Sequence, residues 1–191
     1  MYFAHSGGGG LYSVSIVGAR AVCVRNSNML FNSVSKINAG IVSSCIVGFA
    51  LSYYAYIVET SKEHDSSYEA MCDISEHISC TKAFMSEYGK GFGIIPENSP
   101  FYFPNSIYGL VFFVNFALLS VSNMLAATTM LLILGVLANM GSVYLAVILY
   151  KLQDICVVCI STYLVNAANL TLAVRKFNLL SEGSPKKRKA N

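Results

Sequence analysis

Four of the six cysteines in this 191-residue chain form two groups whose positions suit thiol–disulfide chemistry. Cys156-Val157-Val158-Cys159 is a Cys-x-x-Cys. On a helix, positions i and i+3 share a face, and their sulfurs come close enough to bridge. A helix N-terminus also favours the thiolate, which is the attacking form. Asp154, just ahead, reads as the N-cap. Closing so short a ring adds little entropic stability, so redox chemistry is a better use of the pair than a structural bridge. Cys72 and Cys80 lie further apart. They read either as a structural loop disulfide or as a shuttle pair. A shuttle would take electrons from a soluble partner and pass them to Cys156/Cys159 through a mixed disulfide. Their spacing exceeds the usual about two to four intervening residues of a zinc site. Cys23 reads as a free thiol and Cys45 as a small apolar packing residue.

Polar side chains accompany the thiols. Ser161, Thr162 and Tyr163 follow Cys159, and Tyr163, four residues on, shares its helix face. Asn105-Ser106 opens another apolar stretch. An amide and a phenol hydroxyl beside a reactive thiol in an apolar pocket suit a lipid-soluble ring with carbonyl groups, such as a quinone. Equally, Asn105 could cap a helix and Tyr163 could belong to an aromatic belt.

The elements that must position these residues are membrane helices. The apolar fraction is 54% and the mean hydropathy +0.54, with 12% charged residues against ~25% in soluble domains. This excludes a disordered or collagen-like chain and argues against a cytosolic globular enzyme. A net charge of +3 gives no reason to expect a nucleic-acid partner. Residues 37–58, 98–150 and 155–174 carry no charge at all. Since about 20 apolar residues cross a bilayer, the first and last runs each predict one span. The middle run, broken at Ser120-Val121-Ser122-Asn123, predicts two. The expected spans are Ile37–Val58, Asn105–Leu119, Leu125–Tyr150 and Ile155–Val174. Arg20, Arg25 and Lys36 precede the first span, and Arg175, Lys176 and Lys186–Lys189 follow the last, so both termini read as cytosolic. Residues 1–36 are expected to be a flexible cytosolic extension and 177–191 a basic cytosolic tail. Lys187 and Lys189 have the spacing of a dibasic retrieval signal for the endoplasmic reticulum.

The acidic segment 59–104 then faces the lumen, where disulfides persist. Tyr68–Tyr88 carries helix-forming stretches around Cys72 and Cys80. Gly89-Lys90-Gly91-Phe92-Gly93 should break regular structure. Phe101-Tyr102-Phe103 suits either an interfacial anchor or a lid over a pocket.

These motifs resemble, in order, those of the vitamin K epoxide reductase family. Ala70-Met71-Cys72-Asp73 with Ile78-Ser79-Cys80 is similar to the family's loop cysteine pair. The Gly89–Gly93 run, Asn105-Ser106-Ile107-Tyr108-Gly109, Gly141–Ala146 and Cys156–Tyr163 complete the set. The resemblance covers about residues 38–176; Tyr88 stands where vertebrate members carry Trp. It implies an all-α integral membrane protein, a four-transmembrane-helix bundle (37–176) with a lumenal loop between helices 1 and 2. It implies that Cys159 attacks the substrate and Cys156 resolves the adduct. Cys72 and Cys80 then shuttle electrons, with Cys80 meeting a lumenal thioredoxin-fold donor. Asn105 and Tyr163 match residues that hydrogen-bond the quinone oxygens, and Phe84, Phe92, Tyr108 and Phe112 fall where the family lines its pocket. The expected activity is thiol-dependent reduction of vitamin K 2,3-epoxide and vitamin K quinone, which are substrates; no tightly bound cofactor is expected. Coumarin-type anticoagulants bind this pocket in family members. The rivals are a quinone-dependent disulfide-forming oxidase and a non-enzymatic four-span scaffold with structural disulfides.

Overall fold

The computed structural model describes residues 16–75 and 78–183, and side chains between 32 and 181. The expected flexible stretch up to residue 15 and the dibasic motif at 187–189 lie outside the described residues. Secondary structure is helical: α1 (Ile16–His64), α2 (Cys80–Phe84), α3 (Asn105–Val121), α4 (Leu125–Leu152) and α5 (Val157–Gly183), with a short 3-10 turn at Gly91–Gly93. The helix α1 begins well ahead of the expected first span, so the backbone of 16–36 is helical and continuous with it. Nothing between Ile16 and Lys36 is a proline, so no residue type interrupts the ladder.

Asn32–His64, Leu125–Leu152 and Val157–Ser181 are long and apolar enough to cross a membrane. The 17-residue α3 sits at the lower limit of spanning length. The four long helices close into a bundle. α1 packs on both α3 and α5, α4 packs mainly on α5, and α3 and α4 meet along one side. The core is Ile41 and Cys45 from α1, Phe113 and Phe116 from α3, Leu131 from α4 and Ala173 from α5. Gly48 lets the Phe113 ring approach: a Cβ there would stand 2.4 Å from the ring, and small residues at helix contacts are how membrane helices pack closely. The outer faces are apolar too, with Leu118 and Leu164 each 68% exposed. That is the pattern of an integral membrane protein whose outside meets lipid rather than water.

Lys176, one of the basic residues that follow the last expected span, does not reach solvent. It is fully buried and donates to the carbonyls of Ser120 at 2.6 Å and Ser122 at 2.8 Å. Those oxygens end α3 and have no intrahelical partners, so the ammonium closes that helix from across the bundle.

At the opposite end lies the 59–104 loop. It is less helical than its composition suggests: beyond the end of α1 at His64, Cys80–Phe84 is the one α-helix among its described residues. Asp73 draws the chain into a tight turn instead. Its carboxylate accepts the Ala70 N–H at 3.0 Å, the Thr81 N–H at 3.1 Å, the Ser79 hydroxyl at 2.8 Å and the Thr81 hydroxyl. The Ser79 hydroxyl oxygen in turn caps α2 by accepting the Lys82 N–H at 3.1 Å. Of the Phe101–Phe103 aromatics, Phe101 and Phe103 are exposed, as an interfacial anchor would be.

Candidate active site

Under the loop is a cavity of about 420 Å³ bounded by all four long helices and α2. Its wall includes Cys159, Asn105, Tyr163, Phe84, Phe92, Tyr108 and Phe112. Residues far apart in sequence are thereby brought to one place. Cys156, Cys72 and Cys80 lie behind the wall. Cys80 and Cys156 are fully buried in a second apolar cluster with Ala55, Leu149 and Val158, against which Cys72, Phe84 and Cys159 pack. All four thiol positions therefore share one region at the loop end of the bundle. Cys72 and Cys80 are joined as a disulfide, while Cys156 and Cys159 are free thiols. The Tyr54 hydroxyl reaches the Cys72 sulfur at 3.8 Å.

The local reason for the Cys-x-x-Cys arrangement differs from the expected one. α5 starts at Val157, so Cys156 itself, not Asp154, occupies the capping position. Its Sγ accepts the Cys159 N–H at 3.3 Å, and its carbonyl accepts the Ile160 N–H at 3.0 Å. An N–H aimed at sulfur from a helix N-terminus stabilises negative charge on that sulfur. Asp154 stands 3.9 Å from Lys82 of α2 instead. The two thiols are thus differentiated: Cys159 opens on the cavity, and Cys156 lies beneath it against the helix terminus.

The Gly89–Gly93 run forms the rim. Gly91, Phe92 and Gly93 all have positive φ, at 56°, 57° and 67°. Glycine adopts this region freely, but an aromatic residue there is strained by about 1–2 kcal/mol. Asn105 holds the strained residue: its Oδ1 accepts the Phe92 N–H at 2.9 Å, and its Nδ2 donates to the Tyr88 carbonyl at 2.6 Å. The Phe92 ring packs on Tyr108 with centroids 5.3 Å apart. Its carbonyl also accepts from the Tyr144 hydroxyl at 3.3 Å. A primary amide has two N–H donors, and Tyr88 takes one. Beside the rim, Lys90 pairs with Glu63, whose carboxylate pushes the Lys90 ammonium above its usual value. Burial pushes Asp73 up, but the hydrogen bonds from Thr81, Ser79 and Ala70 outweigh it and bring the carboxyl to about 2.

Some wall residues were not singled out as site candidates. Glu59, Ser52, Ser142 and Asn166 line the same cavity. Asn166 donates from Nδ2 to the Ser142 hydroxyl at 3.0 Å, while its buried Oδ1 has no partner among the described residues. For Asn166 helical spacing holds a signal, since it lies one turn beyond Tyr163.

The sequence profile of the vitamin K epoxide reductase family matches residues 40–174. The chain belongs to the vitamin K epoxide reductase family. It is 37% identical over 137 residues to "Vitamin K epoxide reductase complex subunit 1" of Mus musculus, and 36% identical over 137 residues to the protein of that name from Rattus norvegicus. Each match covers 69% of this chain and 85% of the relative. The region shared with the vitamin K epoxide reductase family runs from α1 through most of α5 and includes every cavity residue described above.

Proposed function

We propose that this protein is a membrane oxidoreductase that reduces vitamin K 2,3-epoxide, and vitamin K quinone, with electrons from its own thiols. The observation that carries the reading is Cys159. It is the free thiol on the wall of an apolar cavity, and a second free thiol, Cys156, sits three residues before it at a helix N-terminus. Cys159 attacks the substrate. Cys156, whose sulfur receives the Cys159 N–H, then attacks the Cys159 sulfur, releasing product and leaving a disulfide. The spare N–H of Asn105 and the Tyr163 hydroxyl orient the ring oxygens, and Phe84, Phe92, Tyr108 and Phe112 enclose the ring.

The Cys72–Cys80 disulfide is the oxidised form of the pair that recharges the active thiols. Its shared apolar cluster with Cys156 supports that relay. The ultimate donor is a thioredoxin-fold protein in the lumen. The membrane is that of the endoplasmic reticulum, and both termini are cytosolic; the basic residues that flank the first and last spans support that orientation.

The test is conversion of vitamin K epoxide by membranes containing the full chain, with a dithiol reductant and Cys159→Ala alongside. Conversion is expected for the wild type and not for an equally abundant variant. Equal conversion by both would sink the thiol mechanism. Wild type that reduces only other quinones would instead identify a disulfide-forming oxidase.

A further inference from the structure

Opening an epoxide needs a proton on the ring oxygen as well as a thiolate on the ring carbon. The cavity wall holds a side chain suited to that task. Glu59, in the last turns of α1, is 2% exposed and lines the same cavity as Cys159. Its Oε2 accepts the Ser106 hydroxyl. Among the described residues it has no salt-bridge partner, and the nearby ammonium of Lys90 is paired with Glu63. The other buried charged side chain among the described residues, Lys176, lies at the far end of the bundle against carbonyls. An ionised carboxylate is costly in an apolar cavity without a cation, so the uncharged acid is the form such a site accommodates. One oxygen then takes the Ser106 hydrogen bond, and the acid O–H is left for a cavity occupant.

We propose that Glu59 is a catalytic residue, the acid that protonates the ring oxygen as Cys159 opens the epoxide. This rests on the epoxide-reductase reading above. The Cys159 thiolate attacks a ring carbon; a C–S bond forms, the C–O bond breaks, and its electron pair stays on oxygen. That oxygen takes the Glu59 proton. Cys156 then attacks the Cys159 sulfur. The S–S bond forms, the C–S bond breaks, and its electron pair becomes the quinone double bond as hydroxide leaves the neighbouring carbon. The protons released by the two thiols restore Glu59 and convert the hydroxide to water. Epoxide is reduced to quinone, and the dithiol is oxidised to the disulfide. Tyr163 also lines the cavity, but a phenol (~10) is ordinarily a far weaker acid than a carboxyl group (~4.3).

The titratable groups around Glu59 are Glu63 on α1, Lys90 and Tyr88 in the loop, Tyr108 on α3, and Cys159 and Tyr163 on α5; α4 contributes none to the cavity wall. Turnover should rise with pH as the thiols ionise and fall as Glu59 loses its proton.

The experiment measures kcat and KM for vitamin K epoxide against pH, using membranes with the wild type, Glu59→Gln and Glu59→Asp. Gln keeps an acceptor for Ser106 and cannot supply the proton. The expected result is a loss of about 100-fold in kcat, the usual lower range for a general acid, with KM little changed and the alkaline limb gone. Asp should restore part of the rate and the limb. Wild-type kcat and an unaltered pH profile in Glu59→Gln would overturn the assignment while leaving the epoxide reading intact. No conversion by the wild type would overturn both. Should Glu59→Gln not accumulate, Ser106→Ala decides. Removing a donor to the carboxylate should move the alkaline limb to higher pH, and an unmoved limb would overturn the assignment.

Discussion

The amide oxygen of Asn105 accepts the Phe92 N–H at 2.9 Å, across a turn in which Phe92 holds a φ of 57°. The first residue of α3 thereby fixes an aromatic that the loop rim sets on the cavity wall. Asn105→Ala removes this bond and the one to Tyr88, each worth about 1 kcal/mol. We predict a fall of tenfold or more in kcat/KM for the epoxide, carried mainly by KM. Steady-state kinetics in membranes checks this. An unchanged KM would show that Phe92 holds its place without the amide.

Cys156 and Cys159 should fail in different ways. Cys156→Ser leaves the cavity-facing thiol able to attack but removes the group that resolves the adduct, so a covalent substrate adduct on Cys159 is expected. Cys159→Ser should give neither adduct nor turnover. Mass spectrometry of the intact protein after incubation with substrate distinguishes them. An adduct on Cys156 in the Cys159→Ser variant would reverse the assigned roles.

The Cys72–Cys80 disulfide packs in the same apolar cluster as Cys156. Cys72→Ala and Cys80→Ala should abolish turnover driven by a protein thiol donor. A small membrane-permeant dithiol should still drive turnover to within a few fold of the wild type, because it reaches the inner pair directly. Loss with both reductants would mean that the bridge serves the loop's structure instead.

Asp73 ties the loop together through acceptor contacts only, and its carboxyl sits at about 2, below the ordinary value. A depressed folded value means stability that is present above the unfolded value, near ~3.9, and is lost as pH falls through the folded one. Loop protection against hydrogen exchange should therefore persist at pH 5 and drop between roughly pH 4 and 2. Asp73→Asn should show reduced protection already at neutral pH. Equal protection in Asp73→Asn at neutral pH would show that the charge is not what holds the turn.

Lys176→Met leaves the buried carbonyl of Ser120 and the half-buried one of Ser122 without their ammonium partner. Unpaired buried polar groups cost about 1–3 kcal/mol, which for a chain of this size corresponds to roughly 2–12 °C in Tm. Thermal unfolding in detergent should show a loss in that range. An unshifted midpoint would mean that water replaces the ammonium.

The chemistry-bearing motifs and the helices that carry them are legible from residue type and local spacing. Uncharged runs mark the helices because charge is excluded from a bilayer, and Ser120–Asn123 marks the α3–α4 break because polar residues collect where the chain leaves it. Cys156/Cys159 and Tyr163 share a face by helical period alone. What remained hidden depends on how helices distant in sequence rotate against each other. Glu59 reads as the first acid of a solvated loop, and only the packing of α1 on α3 puts it beside Ser106 inside the cavity. Lys176 reads as one of several cations after the last span until the end of α3 is placed against it. Asp154 reads as a cap until the start of α5 shows the sulfur of Cys156 in that role. Hydropathy and spacing act along the chain, and local patterning records them. The partner of a buried polar group is chosen across the bundle, where only the tertiary structure sets which side chains meet.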